Sequence, residues 1–182
     1  MSDNYSLIIK NGSCYIDGKL IKSDIGLYEN QIKKIGNIEE NNSKVYDASG
    51  KVVLPGIIDT QVHFREPGST DAEDLESGSR AAVLGGVTSL FEMPNTNPPT
   101  ANLVEFEKKL KAAKNRMHSN YAFYFGATPQ NTEQLAQLKN VEGCCGVKLF
   151  AGSSTGNLLD KEMCTHILTG EMSSVQYLQL EG

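Results

Sequence analysis

The sequence predicts an α/β protein in three parts: a small antiparallel β module over residues 1–54, about four βα units of a parallel sheet over 55–160, and an atypical tail over 161–182. Three observations carry this prediction. Residues 1–54 alternate short β-type runs with turn dipeptides. Residues 55–160 repeat strand, loop and helix at spacings of roughly 25–35 residues, the rhythm of a parallel sheet that is either open or part of a barrel. Beyond Asp160 that rhythm dissolves.

The module's strands are read in SLIIKNGSCYI, GKLIKSDIGLY, NQIKKIGNI and KVYDASGKVVL. Asn11-Gly12 and Asp17-Gly18 are read as hairpin turns, because both residue pairs tolerate positive φ. GIID (Gly56 to Asp59) is a short apolar strand. Thr70-Asp71-Ala72-Glu73 has the form of a capping box, ahead of a helix that runs to about Leu84 and stops at Gly85-Gly86. VTSLFEM (Val87 to Met93) is the second strand. Thr100 is expected to cap a helix with Leu103, Phe106, Leu110 and Ala113 on one face and Lys108, Lys111 and Lys114 outside. YAFYFGA (Tyr121 to Ala127) is the third strand, Thr128-Pro129 opens a short helix to about Lys139, and GVKLFA (Gly146 to Ala151) is the fourth strand. The tail, KEMCTHILTGEMSSVQYLQLEG, offers at most one more helix and a weak strand.

Composition narrows the function classes. A net charge of -5 without a basic stripe gives neither nucleic acid nor an anionic membrane anything to recognise. The start, MSDNYSLIIKNG, has no cationic leader, and no window approaches the roughly 20 apolar residues of a membrane span. A cytoplasmic protein is the expectation. Cys14, Cys144, Cys145 and Cys164 form no C-x-x-C pair, and adjacent Cys144 and Cys145 point to opposite faces of a strand; packing is their expected role.

In a parallel α/β sheet, chemistry gathers at the carboxyl ends of the strands. Four such ends carry polar residues: Gln61, His63, Arg65 and Glu66 after the first, Asn95, Thr96 and Asn97 after the second, Thr128 after the third, and Lys148 within the fourth. Neutral imidazole makes His63 a good zinc ligand, or simply a satisfied loop histidine. The guanidinium of Arg65 matches a carboxylate bidentately, or forms a surface ion pair with Glu66 or Asp71. Asn95 suits an amide-bearing substrate or a proline-rich turn. Lys148, between Val147 and Leu149, either snorkels outward or is forced inward, where it must pair or shed its proton.

PGIIDTQVHFREPG, EMPNTNPPT and GVKLFAGSSTGNLL resemble dihydroorotase and its cyclic-amidohydrolase relatives, the hydantoinases, dihydropyrimidinases and allantoinases. The likeness runs from about residue 5 to Asp160 in matching order and spacing. It implies a zinc-dependent (β/α)8 TIM-type barrel, of which the chain holds about the first four units, and a β-sandwich module built from both chain ends. It also implies reversible hydrolysis of dihydroorotate to N-carbamoyl-aspartate, in pyrimidine biosynthesis. By position, His63 is similar to the second histidine of the H-x-H metal pair, and Gln61 stands where the first would be. Arg65 and Asn95 resemble the residues that grip the substrate carboxylate, and Lys148 the barrel lysine that is carboxylated and bridges two zinc ions. In such a pair the metals polarise the carbonyl and lower the pKa of the attacking water.

The likeness also marks departures. An amide oxygen at Gln61 is a poor zinc ligand beside imidazole, thiolate or carboxylate. After Lys148 the sole histidine is His166, in a stretch without a family motif, and Asp160 stands too early to be the family's general-base aspartate. Two expectations follow. The chain is a dihydroorotase-type hydrolase acting on dihydroorotate or N-carbamoyl-aspartate, with the missing half supplied by self-association or a complementing protein chain. Alternatively it is an inactive truncated remnant, or a non-catalytic partner of a pyrimidine enzyme such as aspartate carbamoyltransferase. Arg65 and the MPNT segment favour dihydroorotate, while Lys148 in a KLF context also resembles the hydantoinases and dihydropyrimidinases.

Overall fold

The computed structural model describes residues 4–150, Leu158 and the backbone of Leu178–Glu181. The chain divides into two compact units, Met1–Pro55 and Gly56–Gly182.

The first unit is built on β1 (Leu7–Ile16), β2 (Lys19–Tyr28), β3 (Gln31–Gly36), β4 (Lys44–Asp47) and β5 (Val52–Val53). Its one sheet has the order β3-β2-β1-β4, with β5 also pairing β1. The expected all-antiparallel module is corrected here: β1, β2 and β3 are antiparallel, but β4 and β5 run parallel to β1. The connection after β3 explains this, because Ile38 plugs into a small core with Tyr5 and Ile8 and carries the chain back before β4 begins. Asp17-Gly18 is the expected hairpin turn, with φ of 48° and 78°, the both-positive pattern of a type I′ turn. Asn11-Gly12 is not a hairpin. It lies inside β1, where the β2 register shifts between Ile9 and Gly12 and Asn11 takes φ 62°, a β-bulge. The bulge is held by Asp24, whose carboxylate accepts from the Asn11 amide at 3.0 Å and the Ile38 amide at 3.1 Å.

The second unit is a parallel sheet of β6 (Ile57–Val62), β7 (Val87–Glu92), β8 (Asn120–Gly126), β9 (Cys144–Phe150) and β10 (Leu178–Glu181), in the order β10-β9-β8-β7-β6. Every neighbouring pair runs parallel. The helices α1 (Leu75–Leu84) and α2 (Leu103–Ala113) pack on it. Their core is Leu75, Leu90, Phe106, Phe123, Phe125 and Leu149, with Leu103 and Leu110 against it, the face that helical spacing assigned. Lys108, Lys111 and Lys114 are exposed, as expected. At the edge strand β6, Ile57 and Ile58 are 56% and 60% exposed.

The caps differ from expectation. α1 starts one turn later than the Thr70 pattern suggests, because Asp74 accepts from the Ser77 amide at 2.7 Å and Ser77 answers the Asp74 amide, the reciprocal form of a capping box. α2 is capped by Asn102 rather than Thr100. Thr100 is instead buried, donating its amide to the Pro94 carbonyl at 2.9 Å. The segment after Thr128-Pro129 is a 3-10 helix (Thr132–Asn140), and Thr128 is held from outside by Asn131 Oδ1 at 2.9 Å. The predicted tail helix, the segment 151–157, Asp160, Cys164 and His166 lie outside the described residues. Among the described residues, no helix is long and apolar enough to cross a membrane.

Candidate active site

The described strands of the second unit are all parallel, so their carboxyl ends share one rim. β6 runs on to Val62, three residues past the GIID run; this puts Gln61 in the strand, exposed, and His63 just beyond it. β7 ends at Glu92, and Met93-Pro94-Asn95 turns out from it. A side-chain hydrogen bond joins the two strand ends: His63 Nδ1 lies 3.0 Å from Asn95 Oδ1. With the amide oriented this way, Nδ1 carries the proton and Nε2 the lone pair, the tautomer a metal-binding histidine needs.

Arg65 and Asn95 come together at a pocket of about 300 Å3, lined also by Pro67, Ser69, Thr96 and Asn97. Among the described residues that line it, none carries a carboxylate. Two interactions fix the mouth. The Asn97 amide donates to the Pro67 carbonyl at 3.0 Å, which ties the second loop to the first. Gly68 has φ +122°, and a Cβ there would stand 3.2 Å from the backbone N and O of Asn97, so only glycine fits this crossing comfortably.

Arg65 does not take Glu66 as its partner. Glu66 is claimed by Arg116, Nη1 to Oε1 at 2.7 Å and Nη2 to Oε2 at 3.2 Å, and it also accepts the Leu75 amide at the start of α1 at 3.0 Å. Burial pushes the Glu66 carboxyl up, but Arg116 and the Leu75 amide together hold it below the usual range. Arg65 is exposed and takes φ +61°, an uncommon conformation for a non-glycine residue.

Lys148 is fully buried in β9, so the outward-snorkelling alternative is set aside. Its Nζ lies 5.2 Å from the centroid of the Phe150 ring, and its carbonyl accepts the Ala127 amide at 2.9 Å. Cys144 and Cys145 flank this strand's start as unpaired thiols; burial raises both, Cys145 to about 12, which fits packing rather than metal binding.

A second buried lysine was missed. Lys109 Nζ sits 2.6 Å from Glu92 Oε2 and donates to the Met93 carbonyl at 3.2 Å and Thr100 Oγ1 at 3.4 Å. Burial raises the Glu92 carboxyl to about 7 against the pull of Lys109, and burial lowers Lys109. The sequence did hold a signal: Lys109 falls three residues after Phe106 and four before Ala113, on the apolar face of α2.

Zinc needs a donor set, and a catalytic site takes three protein ligands with one position open. Among the described residues, no group of three or more His, Cys, Asp and Glu stands close enough to hold a metal ion. His63 offers one imidazole donor to such a set, which the described residues alone do not complete.

Residues 52–170 match the Amidohydrolase family. Over 150 residues the chain is 36% identical to a dihydroorotase of Lactobacillus helveticus (strain DPC 4571), covering 82% of this chain and 35% of that protein. Over 160 residues it is 35% identical to an allantoinase of Salmonella choleraesuis (strain SC-B67), covering 87% and 35%. The L-hydantoinase (dihydropyrimidinase) of Arthrobacter aurescens superposes with a TM-score of 0.74 at 28% identity, over 86% of this chain and 35% of that one. A D-hydantoinase crystal structure gives 0.79 at 27% identity, over 96% and 39%. The chain thus spans about a third of the length of these relatives. Its β-sheet module followed by a parallel half-barrel with helices is like the amino-terminal part of the hydantoinase structure. The family is generally metal-dependent. Motif order, strand-end chemistry and fold therefore agree: this chain belongs to the amidohydrolase family, among the cyclic amidohydrolases that include dihydroorotases, allantoinases and hydantoinases.

Proposed function

We propose that the chain is the amino-terminal part of a dihydroorotase-type hydrolase, which opens and closes the cyclic amide of dihydroorotate in pyrimidine biosynthesis. One observation supports this most: Arg65 and Asn95, from different strand ends, line one small pocket with no carboxylate among the described residues of its walls. A ring that carries its own carboxylate would find a cationic fork in Arg65. Asn95, with Oδ1 engaged by His63, would offer its amide N–H groups to the same ligand. Uncharged hydantoins and allantoin carry no carboxylate for Arg65 to grip, which is why dihydroorotate or N-carbamoyl-aspartate is preferred. His63 and Lys148 are the chain's proposed contribution to a zinc centre, with the remaining donors lying outside the described residues.

Gln61 supports a second reading. Where the family's metal pair would begin, its amide replaces imidazole, which favours a non-catalytic chain that assists another pyrimidine enzyme. The experiment is zinc content together with dihydroorotate turnover, with and without added zinc and bicarbonate, and NMR titration with dihydroorotate and hydantoin. Carboxylate-selective binding that weakens about tenfold in Arg65→Gln is expected, from the loss of a charge-assisted pair. Turnover assigns the enzyme; selective binding without zinc or turnover assigns the non-catalytic chain. Equal affinity for both ligands would sink the dihydroorotate assignment.

A further inference from the structure

α2 reaches both loops that line the pocket, and it does so with charge. Arg116, just beyond its carboxyl end, grips Glu66 through two N–H groups. Lys109, in its middle, pairs with Glu92 and donates to the Met93 carbonyl. Glu66 directly follows Arg65, and Met93 stands two residues before Asn95. Arg65 and Asn95 therefore each lie within two positions of a group anchored by α2 or by the turn directly after it.

Neither cation lines the pocket. Stability alone is a weak reason for either pair: a buried pair such as Lys109–Glu92 is often matched or bettered by apolar groups of the same shape, and a partly exposed one such as Arg116–Glu66 contributes little. Placement is the better reason. Arg65 holds φ +61°, and a side-chain-bearing residue keeps that conformation only where its surroundings over-determine it. Glu66, fixed by Arg116 on one side and the Leu75 amide on the other, supplies that constraint on the very next residue. On the other loop, Lys109 bonds the Met93 carbonyl and Thr100 Oγ1, the two ends of the turn that presents Asn95.

We infer that Arg116 and Lys109 are positioning residues: through Glu66 and Met93 they hold Arg65 and Asn95 in register across the pocket, an inference that rests on the carboxylate-site reading above. Neither touches the ligand.

Two readouts test this. The first needs no ligand: the imidazole 15N spectrum of His63 reports its Nδ1–H tautomer, which depends on the bond to Asn95. The second is affinity for dihydroorotate against hydantoin. Arg116→Gln is expected to weaken dihydroorotate binding about tenfold, with hydantoin changed by less than about twofold and Arg116→Lys recovering only part of the loss, because lysine cannot fork. The double variant Glu92→Gln/Lys109→Met keeps shape and avoids a stranded charge; it should retain its fold and lose the Nδ1–H tautomer. Variants that keep both the parent tautomer and the parent affinity ratio, whatever their stability, overturn the inference. Should Arg116→Gln not fold, Arg116→Lys decides the first arm. Should the parent itself fail to discriminate the two ligands, the carboxylate reading falls, and the tautomer decides positioning alone: lost in the double variant it supports the inference, kept it overturns it.

Discussion

Replacing a mid-helix glycine by alanine ordinarily stabilises a protein by about 1 kcal/mol. At Gly78, within α1, the opposite is expected. A Cβ there would stand 2.5 Å from Cε1 of Phe64, closer still to Cδ1, and 3.0 Å from the carboxyl carbon of Glu73. Carbon contacts are comfortable at about 3.5–4.0 Å, so the ring must retreat by roughly an ångström or more. It has nowhere easy to go, being 5% exposed and part of the core. Overpacking costs about 1–3 kcal/mol, and a clash this deep belongs at the upper end. Less the helix gain, Gly78→Ala should destabilise by roughly 2 kcal/mol. Phe64 lies between His63 and Arg65, so the displaced ring should also disturb the His63–Asn95 hydrogen bond and the proposed binding of dihydroorotate. Urea unfolding followed by circular dichroism reads the stability. Adding Phe64→Leu to Gly78→Ala should recover part of the loss, giving a favourable coupling energy in the double-mutant cycle. A Gly78→Ala protein more stable than its parent would refute the reasoning outright.

Two further outcomes are expected. Burial raises the Glu92 carboxyl from 4.5 to about 7. Between those values the folded protein binds a proton that the unfolded chain has released, so this group's contribution to stability falls as pH rises through that window. Urea midpoints across the window should show the slope in the parent and lose it in Glu92→Gln; an unchanged slope would assign it elsewhere. Asn131, 4% exposed, donates to the carbonyls of Ala101 and Gly126 at 2.8 Å each and accepts the Thr128 amide at 2.9 Å. Asn131→Ala should cost about 2–3 kcal/mol by stranding these partners, and Asn131→Asp no less, because it sets a carboxylate oxygen against two carbonyls. Tolerance of Asp by thermal unfolding would contradict that network.

Periodicity made the second unit readable. Strands appeared as apolar runs and α2 as a face of Leu103, Phe106, Leu110 and Ala113, because those signals come from burial itself. Caps were less readable, since Thr70, Thr100 and Thr128 are as suitable by type as Asp74, Asn102 and Asn131, and only the three-dimensional path decides among them. Asn11-Gly12 looked like a hairpin for the same reason: a positive φ serves a bulge as well as a turn. At the candidate site, Arg65 and Asn95 stood among several polar residues at strand ends, and both line one pocket. Glu66–Arg116 and Glu92–Lys109 escaped notice because their partners lie on different elements, far apart in sequence. The likeness to cyclic amidohydrolases reached residues that local pattern could not rank, Lys148 above all.

The Asp17-Gly18 turn has a consequence in time. β1 and β2 are joined by two residues already suited to the bend, so their pairing closes a short loop, an event of microseconds. The ladders among β6, β7, β8 and β9 can form only after a whole crossover has been brought into place. Loop-closure entropy must be met there before any contact rewards it, and such topologies assemble slowly. The chain therefore acquires a formed β1–β2 ribbon while β6, with Ile57 and Ile58 outward, still waits for its neighbours. During that interval the half-barrel strands are the part of a nascent chain that a chaperone would need to shield.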